Sequence, residues 1–311
     1  MTTKWLDGNV GAVAAHRSGP GRAAVLGHPI GHSLSPVLHR AAYAALGLDG
    51  WTYEARDLVA DQLAAFLARA DGWAGFSLTM PLKPVALTLA THVDRLARLT
   101  GGANTLIPAA GGGWTALNTD VDGIAAALND ADLAAPEGLS PHAATVLGSG
   151  ATAASALAAL ARAGIGPVEV WARHPERGAH LPAIAQAFGG VASVRGISAG
   201  RPAPVTPIVI AALPPGAADA FAERLPANAR GRVLLDVAYD PWPSRLVRAW
   251  VRAGGTVVPG LAMLMHQAAR QVEAMTGLTA PIAAMRAALA RTRPGGTDIV
   301  RGNGGEAPWA D

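Results

Sequence analysis

Residues 144–163 read Ala-Thr-Val-Leu-Gly-Ser-Gly-Ala-Thr-Ala-Ala-Ser-Ala-Leu-Ala-Ala-Leu-Ala-Arg-Ala. Four small or apolar residues form a short strand signal, and the alanine- and leucine-rich stretch beyond the glycines is typical of a helix. This order predicts a phosphate-binding turn, because small residues let backbone N–H groups approach a pyrophosphate at the positive end of a helix. Ala153 replaces the third glycine of the usual pattern. Alone, the turn also fits an ordinary strand-to-helix loop. The residues predicted to form it are Gly148, Ser149, Gly150, Ala151 and Thr152.

The end of the next predicted strand, residues 168–171, indicates which dinucleotide would bind. NAD-binding domains place an acid at this point for the ribose hydroxyl, whereas an arginine suits the 2′-phosphate of NADP. Here the strand is followed by Arg173 and, four residues later, by Arg177, with no acid at its end. The pair favours NADP over NAD, although two solvated surface arginines would give the same pattern.

Strand and helix signals alternate along the chain, which predicts an α/β fold with a parallel, doubly wound sheet in its second half. A long, mostly helical segment over residues 261–290 ends the pattern. The predicted strands are 23–27, 51–55, 75–79, 103–108, 114–117, 144–147, 168–171, 207–211, 233–236 and 256–258. The predicted helices are one capped by Ser35, 61–70, one that begins at Pro81, 122–128 and 153–163.

The length and the shifts in composition predict two domains. Residues 21–129 would form the first and 142–262 the second, joined by a Pro-, Gly- and acid-containing linker over 130–142. Residues 1–20 are predicted to be a loose leader, and the Gly/Pro-rich residues 293–311 a frayed tail.

Composition excludes several classes of function. The chain has 311 residues, is half hydrophobic and contains no cysteine, so disulfides, thiolate chemistry and cysteine-ligated zinc are ruled out, and we expect no metal site. Its arginines are scattered and its net charge is only +3, which suits an anionic small molecule better than nucleic acid. No apolar run has the length of a membrane span, and the first residues are a poor signal peptide, so we predict a cytoplasmic protein.

Lysine is used only twice, as Lys4 and Lys83, while arginine carries almost every other positive charge. Because an ammonium can lose its proton in a suitable environment and a guanidinium cannot, Lys83 is a candidate proton carrier. Asp120, between a predicted strand and a predicted helix, is the natural partner that would orient it. The alternatives are a surface lysine and a helix-capping aspartate. Asn104 also fits a turn.

Five motifs in order resemble the shikimate dehydrogenase family over residues 25–277, nearly the whole chain. They read Gly-His-Pro-Ile-Gly-His-Ser-Leu-Ser-Pro at 27–36, Thr-Met-Pro-Leu-Lys at 79–83, Gly-Ala-Asn-Thr at 102–105, Asn-Thr-Asp at 118–120 and Gly-Leu-Ala-Met-Leu-Met-His-Gln at 260–267. The resemblance implies an N-terminal α/β substrate domain, completed by C-terminal helices at 263–292, and a Rossmann-like NADP-binding domain. It also implies reversible reduction of 3-dehydroshikimate to shikimate with NADPH, a step of aromatic amino acid biosynthesis, by a monomer or homodimer.

The resemblance further implies a role for each motif residue. Lys83 and Asp120 would be the acid–base pair. The substrate, a small polyhydroxylated anion, would contact Ser33, Ser35, Thr79, Asn104, Asp120, Tyr239 and Gln267. Beyond the glycine turn, the cofactor would contact Ala172, Arg173, His174, Arg177, Leu213, Val237 and Gly260.

Some positions depart from the family pattern and leave alternatives open. Ser77 stands where Asn is common, Ala172 and His174 replace Asn and Thr beside Arg173, and residues 211–214 lack the usual polar side chains. A quinate/shikimate or aminoshikimate dehydrogenase, or an enzyme that prefers NAD, therefore remains possible. A methylene-tetrahydrofolate dehydrogenase and a non-catalytic nucleotide-binding sensor are more distant alternatives, because the former lacks the 118–120 motif and the latter needs neither Lys83 nor Asp120.

Overall fold

The computed structural model describes residues 19–131, 143–197, 203–204, 206–293 and 295–302. Most of the expected leader and most of the 130–142 linker lie outside these residues. The contacts within the chain divide it into two compact units, which are described separately below. Among the described residues, one unit joins 19–123 with 264–293, and the other contains the described parts of 124–263 together with 295–302.

The first unit is built on a mixed sheet in the order β2-β1-β3-β5-β6-β4. The first three strands are parallel to one another, and β5 is antiparallel to β3. The predicted strand pair around the triglycine turn is confirmed as the antiparallel hairpin β5–β6. The strands are β1 (Arg22–Gly27), β2 (Thr52–Asp57), β3 (Gly75–Leu78), β4 (His92–Val93), β5 (Thr105–Pro108) and β6 (Trp114–Leu117).

Two helix starts predicted in this unit are wrong. Ser35 does not cap its helix, which already begins at Ser35 and has no side-chain cap. The helix expected from Pro81 begins only at Val85, because Lys83 precedes Pro84 and a residue before proline is disfavoured in helical geometry. The predicted helix 61–70 is shorter, with one turn of 3₁₀ helix at Ala60–Gln62 before it. The helices are α1 (Ser35–Ala45), α2 (Leu63–Leu67), α3 (Val85–Leu89), α4 (Arg95–Thr100) and α5 (Asp120–Asp130).

An aromatic cluster fills the core between β1, β3 and α2. Phe76 lies at its centre, with ring centroids 4.9 Å from Trp73, 5.1 Å from Trp114 and 5.2 Å from Phe66. Tilted and edge-on contacts at these distances add to the apolar burial that fixes β3 in the sheet. The end of β3, where the Lys83 segment begins, is therefore anchored in the core.

The second unit contains a seven-stranded sheet in the order β13-β12-β11-β10-β7-β8-β9. All its pairs are parallel except β12 with β13. Apart from β13, this is the strand order of a Rossmann sheet, which reverses between β7 and β10 and binds ligands at that point. The strands are β7 (Ala144–Leu147), β8 (Val168–Ala172), β9 (Ala192–Gly196), β10 (Ile208–Ala211), β11 (Val233–Asp236), β12 (Thr256–Pro259) and β13 (Val300–Arg301).

Helices of this unit pack in pairs, α6 with α7 and α8 with α9. Their bounds are α6 (Ala151–Arg162), α7 (Leu181–Gln186), α8 (Asp219–Ala222) and α9 (Arg245–Arg252). The C-terminal segment differs from the expected frayed tail, because Val300 and Arg301 pair with β12 and Thr297 is buried. The apolar residue Val300 packs against the core around Trp250, which accounts for the pairing of residues 300–301 with β12.

The predicted helical end is two helices, α10 (Gly260–Thr276) and α11 (Ile282–Thr292). Gly277, at a φ of 75°, and Pro281 separate them. Helix α11 packs against α1 of the first unit, to which both belong. No helix among the described residues is long and apolar enough to cross a lipid bilayer.

Candidate active site

Lys83 and Asp120 meet in the first unit, as the sequence predicts. The Lys83 Nζ lies 2.5 Å from the Asp120 Oδ2. The lysine side chain is 16% exposed and the aspartate side chain 6% exposed, so the pair is largely shielded from solvent. No further partner of the ammonium lies among the described residues, and two of its three N–H bonds remain for a bound molecule.

The turn that carries Lys83 is fixed from both sides. The Lys83 carbonyl accepts a hydrogen bond from the Ala103 N–H at 2.9 Å, next to Asn104. Leu82 and Ala86, on either side of it, are fully buried in the core. The backbone from which the Lys83 side chain extends is therefore anchored in the core, and the contact with Asp120 places the ammonium.

Asn104 holds the second oxygen of Asp120. Its Nδ2 donates to the Asp120 Oδ1 at 2.7 Å and lies 2.9 Å from the Thr119 Oγ1 and 3.1 Å from the Gln267 Oε1. Its Oδ1 accepts hydrogen bonds from the Thr119 N–H at 2.8 Å and the Thr105 hydroxyl at 2.9 Å. With one oxygen on Lys83 and the other on Asn104, the carboxylate has a single orientation.

The start of α5 places Asp120. Asn118 donates from Nδ2 to the Thr100 hydroxyl at 2.7 Å and to the Gly102 carbonyl at 3.0 Å, and its Oδ1 accepts from the Asp120 N–H at 3.0 Å. A carboxylate in the first turn of a helix is also favoured by the helix dipole. Asp120 is thus both a helix-start residue and the partner of the lysine.

The remaining predicted substrate residues of this unit lie on neighbouring segments. Gln267 donates from Nε2 to the Leu264 carbonyl at 2.8 Å, which turns its Oε1 toward Asn104. The Ser33 Oγ accepts a hydrogen bond from the backbone N–H of the buried Ser35 at 3.3 Å. Thr79 packs so closely on Gly27 that a Cβ there would lie 2.3 Å from its methyl group.

In the second unit, the predicted cofactor turn has the geometry that requires glycine. Gly148 has a φ of 113°, and a Cβ on it would lie 2.5 Å from the Ala212 carbonyl oxygen. Gly150 is the N-cap of α6 and has no side-chain cap, so the first N–H groups of that helix are open to an anion. Leu213 packs next to the turn. A pyrophosphate therefore fits here, at the point where the strand order reverses.

Positive charge follows β8 on the exposed surface. Arg173 and Arg177 are exposed, and neither guanidinium group has a hydrogen bond or ion pair among the described residues. His174 differs, because its Nδ1 lies 3.3 Å from the Glu176 carboxylate. Two guanidinium groups without a protein partner, just beyond the end of β8, fit a phosphate on the ribose.

The other predicted cofactor residues of this unit lie at the ends of two adjacent strands. Val237 follows β11, and Gly260 follows β12 as the first residue of α10. A Cβ on Gly260 would lie 2.4 Å from the Val237 carbonyl oxygen, so only glycine allows this approach. Tyr239 also follows β11 and is partly exposed.

The sequence analysis missed a second layer of polar residues behind Asn104, namely His39, Tyr53 and Gln271; Ser77, noted only as a departure, belongs to the same layer. Gln271 lies one helical turn after Gln267, so the i, i+4 spacing places both on one face of α10. That spacing was the one available signal, because the partners of Gln271 are more than 160 residues away in the chain.

A Rossmann sheet with a glycine turn and free arginines, together with a separate lysine–aspartate site, defines a dinucleotide-dependent oxidoreductase. Two family models match the chain: the shikimate dehydrogenase substrate-binding domain over residues 25–106 and the shikimate 5′-dehydrogenase C-terminal domain over 260–290. The chain belongs to the shikimate dehydrogenase family, because the relatives below exceed 30% identity over most of their length.

Two curated relatives are named shikimate dehydrogenase (NADP⁺). The protein of Rubrobacter xylanophilus is 34% identical, over 85% of this chain and 94% of its own. The protein of Halobacterium salinarum is 37% identical, over 85% of this chain and 97% of its own.

Solved structures of the family have the same fold. The Mycobacterium tuberculosis shikimate dehydrogenase is 42% identical, with a TM-score of 0.78 over 88% of this chain and 100% of its own. The Thermus thermophilus shikimate 5-dehydrogenase, solved with NADP(H) and shikimate, is 32% identical, with a TM-score of 0.71 over 87% of this chain and 99% of its own.

Proposed function

We propose that this protein catalyses the NADP-dependent, reversible reduction of 3-dehydroshikimate to shikimate in aromatic amino acid biosynthesis, with Lys83 and Asp120 as the acid–base pair. The observation that carries the proposal is the 2.5 Å contact between the Lys83 Nζ and the Asp120 Oδ2, inside a set of amide and hydroxyl side chains. The names of the relatives and the ligands of the Thermus structure support the choice of substrate and cofactor.

The proton steps belong to this chain. In the reductive direction the Lys83 ammonium donates a proton to the substrate oxygen, which changes from a carbonyl into a hydroxyl as the carbon gains a hydride. In the other direction neutral Lys83 accepts that proton. Asp120 stabilises the ammonium and holds it in place, because its other oxygen is fixed by Asn104. When bound, the nicotinamide supplies or accepts the hydride.

Substrate recognition is assigned to side chains that hydrogen-bond hydroxyl and carboxylate groups. Ser33 and Ser35 would hold the carboxylate, and the hydroxyl groups would contact Thr79, Asn104, Asp120, Tyr239 and Gln267. A site of this type discriminates against analogues that lack a hydroxyl, since a buried polar group would lose its partner. The cofactor pyrophosphate is assigned to residues 148–152, and the adenosine phosphate to Arg173 and Arg177 with Ala172 and His174 beside them. Leu213, Val237 and Gly260 are assigned to the rest of the cofactor.

The acid–base assignment is tested with Lys83→Ala and Asp120→Asn. We expect kcat for shikimate oxidation to fall by about 10²- to 10⁴-fold in Lys83→Ala, with shikimate binding within a few-fold of the parent. Arg69→Ala, which removes a positive charge from an exposed position, is the matched control and should keep its kcat. Activity of Lys83→Ala near the parent level would contradict the proposed role.

The substrate and cofactor are tested by initial rates with shikimate, quinate and aminoshikimate, each with NADP and with NAD. We expect the highest kcat/KM for shikimate with NADP. Arg173→Ala combined with Arg177→Ala should raise the KM for NADP by about tenfold or more and leave that for NAD nearly unchanged, because only NADP carries the 2′-phosphate. A parent enzyme that prefers NAD would overturn the cofactor assignment, and one that prefers quinate or aminoshikimate would overturn the substrate. A cytoplasmic location and a monomer or homodimer remain predictions.

A further inference from the structure

A buried chain of hydrogen bonds lies directly behind the residues that hold Asp120. The Tyr53 hydroxyl donates to the Ser77 Oγ at 2.6 Å, and the Ser77 hydroxyl donates to the Gln271 Oε1 at 2.7 Å. The Gln271 Nε2 then donates to the Asn104 carbonyl at 3.1 Å and to the Thr105 Oγ1 at 3.0 Å. Tyr53, Ser77 and Gln271 are at most 3% exposed, so these bonds are not exchanged with water.

The direction of each bond is fixed by the groups themselves. The Asn104 carbonyl can only accept, so the Gln271 amide nitrogen must face it and its oxygen must face Ser77. The same oxygen lies 3.3 Å from the His39 Nε2, which must therefore carry the ring hydrogen. Burial lowers the pKa of His39 to about 3, in agreement with a neutral ring. Both N–H bonds of Gln271 and its oxygen are thus occupied.

One end of this chain reaches the proposed substrate site. At one end, Gln271 holds the backbone of Asn104, whose side chain contacts Asp120 and Gln267. At the other end, burial raises the pKa of Tyr53, and the neighbouring hydroxyl groups oppose that rise.

We propose that Gln271 and Tyr53 are positioning residues that fix Asn104 in place and so set the affinity of the site for its substrate. The inference rests on the proposed function, since it takes Asn104 as a substrate contact. Neither residue needs to touch the substrate. A fully satisfied buried network allows one arrangement of its members, and small displacements of a positioning group are costly to binding and catalysis.

The test compares Gln271→Met and Tyr53→Phe with a control from the same helix. Gln271→Met keeps the length of the side chain but removes the two N–H groups that donate to the Asn104 carbonyl and to the Thr105 hydroxyl. We expect the KM and the Kd for shikimate to rise about tenfold or more. Tyr53→Phe removes one hydroxyl and should raise both by about threefold or more. The KM for NADP should stay within about twofold of the parent in both variants.

Met275→Ala is the matched control. Met275 lies one turn beyond Gln271 on α10, is fully buried and packs near Gly75, so its truncation lowers stability without removing a bond to Asn104. Melting temperatures are measured for every variant. The proposal predicts that Met275→Ala loses stability and keeps its KM for shikimate, whereas Gln271→Met changes that KM.

Two results would overturn the positioning role. One is an unchanged Kd for shikimate in Gln271→Met. The other is a rise in the KM for shikimate in Met275→Ala that equals the rise in Gln271→Met, at an equal loss of stability. If Gln271→Met does not fold, Tyr53→Phe decides, because an unchanged Kd for shikimate in that variant contradicts a role of the buried chain in substrate affinity. A parent protein that binds shikimate but does not oxidise it contradicts the proposed function, and the Kd comparison still tests the positioning role. A parent protein that does not bind shikimate overturns both, and turnover of the parent separates these outcomes.

Discussion

The free energy of unfolding of this protein should depend on pH because of one neutral, buried histidine, His39. Burial lowers the pKa of His39 from 6.5 to about 3, with the hydrogen bond to Gln271 opposing the shift. Below pH 6.5 the unfolded chain takes up a proton that the folded protein does not bind, so stability falls as the pH falls from 6.5 toward 3. Since pH 5 lies about 1.5 units below the pKa of the unfolded chain, protonation of His39 stabilises the unfolded form by about 2 kcal/mol at that pH.

The assay is urea denaturation of the parent and of His39→Gln at pH 7.5 and at pH 5.0. Glutamine is neutral at both pH values and can still donate an N–H toward Gln271. We expect the parent to lose about 2 kcal/mol more than the variant between the two pH values. Comparing the pH differences, rather than the absolute stabilities, removes the cost of the substitution and the titration of all other groups. His180→Gln, at an exposed position, should behave like the parent.

An equal pH difference in the parent and His39→Gln would refute this reasoning. It would mean that His39 is protonated in the folded protein, or that the unfolded chain shields it equally. The first case would also contradict the hydrogen bond from the Tyr43 hydroxyl to the His39 Nδ1, because a protonated ring has no acceptor nitrogen.

Three further perturbations give separate outcomes. Gly148→Ala should cost a few kcal/mol in thermal or urea denaturation, since its φ is 113° and its Cβ would meet a carbonyl oxygen at 2.5 Å, whereas Gly150→Ala meets nothing within 4 Å and should cost about 1 kcal/mol or less. Burial raises the pKa of Asp94 to about 6, so the charged carboxylate lowers the stability of the folded protein at neutral pH. The parent therefore regains stability, by at most about 3 kcal/mol, as the pH falls from 6 toward 3.8. Asp94→Asn should lack that gain when denaturation is measured at pH 7 and at pH 4. Trp250→Phe should cost less than Trp171→Phe in urea denaturation, because the Trp250 Nε1 has no partner in the described part of the chain while the Trp171 Nε1 donates to Glu169 at 3.1 Å; equal losses would contradict this difference.

The central strands of the second sheet could be predicted from sequence because each is a short apolar run, buried on both faces. Periodicity alone identifies such strands when turn residues bound them. The short elements β4 and α4 gave no comparable signal, since a two-residue strand and a six-residue helix show no repeating pattern. Helix starts were less predictable. At Lys83 the proline that follows it delays the helix.

At the site, the sequence could predict the lysine and aspartate that lie together but not the residues that support them. The rarity of lysine and the order of the motifs led to Lys83 and Asp120, which lie 2.5 Å apart. Gln271 was missed because its value depends on contacts with Ser77 and Asn104, far away in the chain. The i, i+4 spacing from Gln267 marks only the helix face on which Gln271 lies, whereas a rare lysine within a motif stands out in the sequence itself.

The two ligand sites differ in how their charged groups are held, and this difference predicts how each will tolerate substitution. Asp120 is fixed by hydrogen bonds from Lys83 and Asn104 and is buried, so changes to either partner alter its geometry. The guanidinium groups of Arg173 and Arg177 are exposed and have no partner among the described residues, so they offer charge without fixed geometry. Exposed charges are screened by salt, whereas buried, hydrogen-bonded ones are screened much less. Preference for the cofactor phosphate should therefore weaken at high ionic strength, while shikimate recognition through the buried groups changes little.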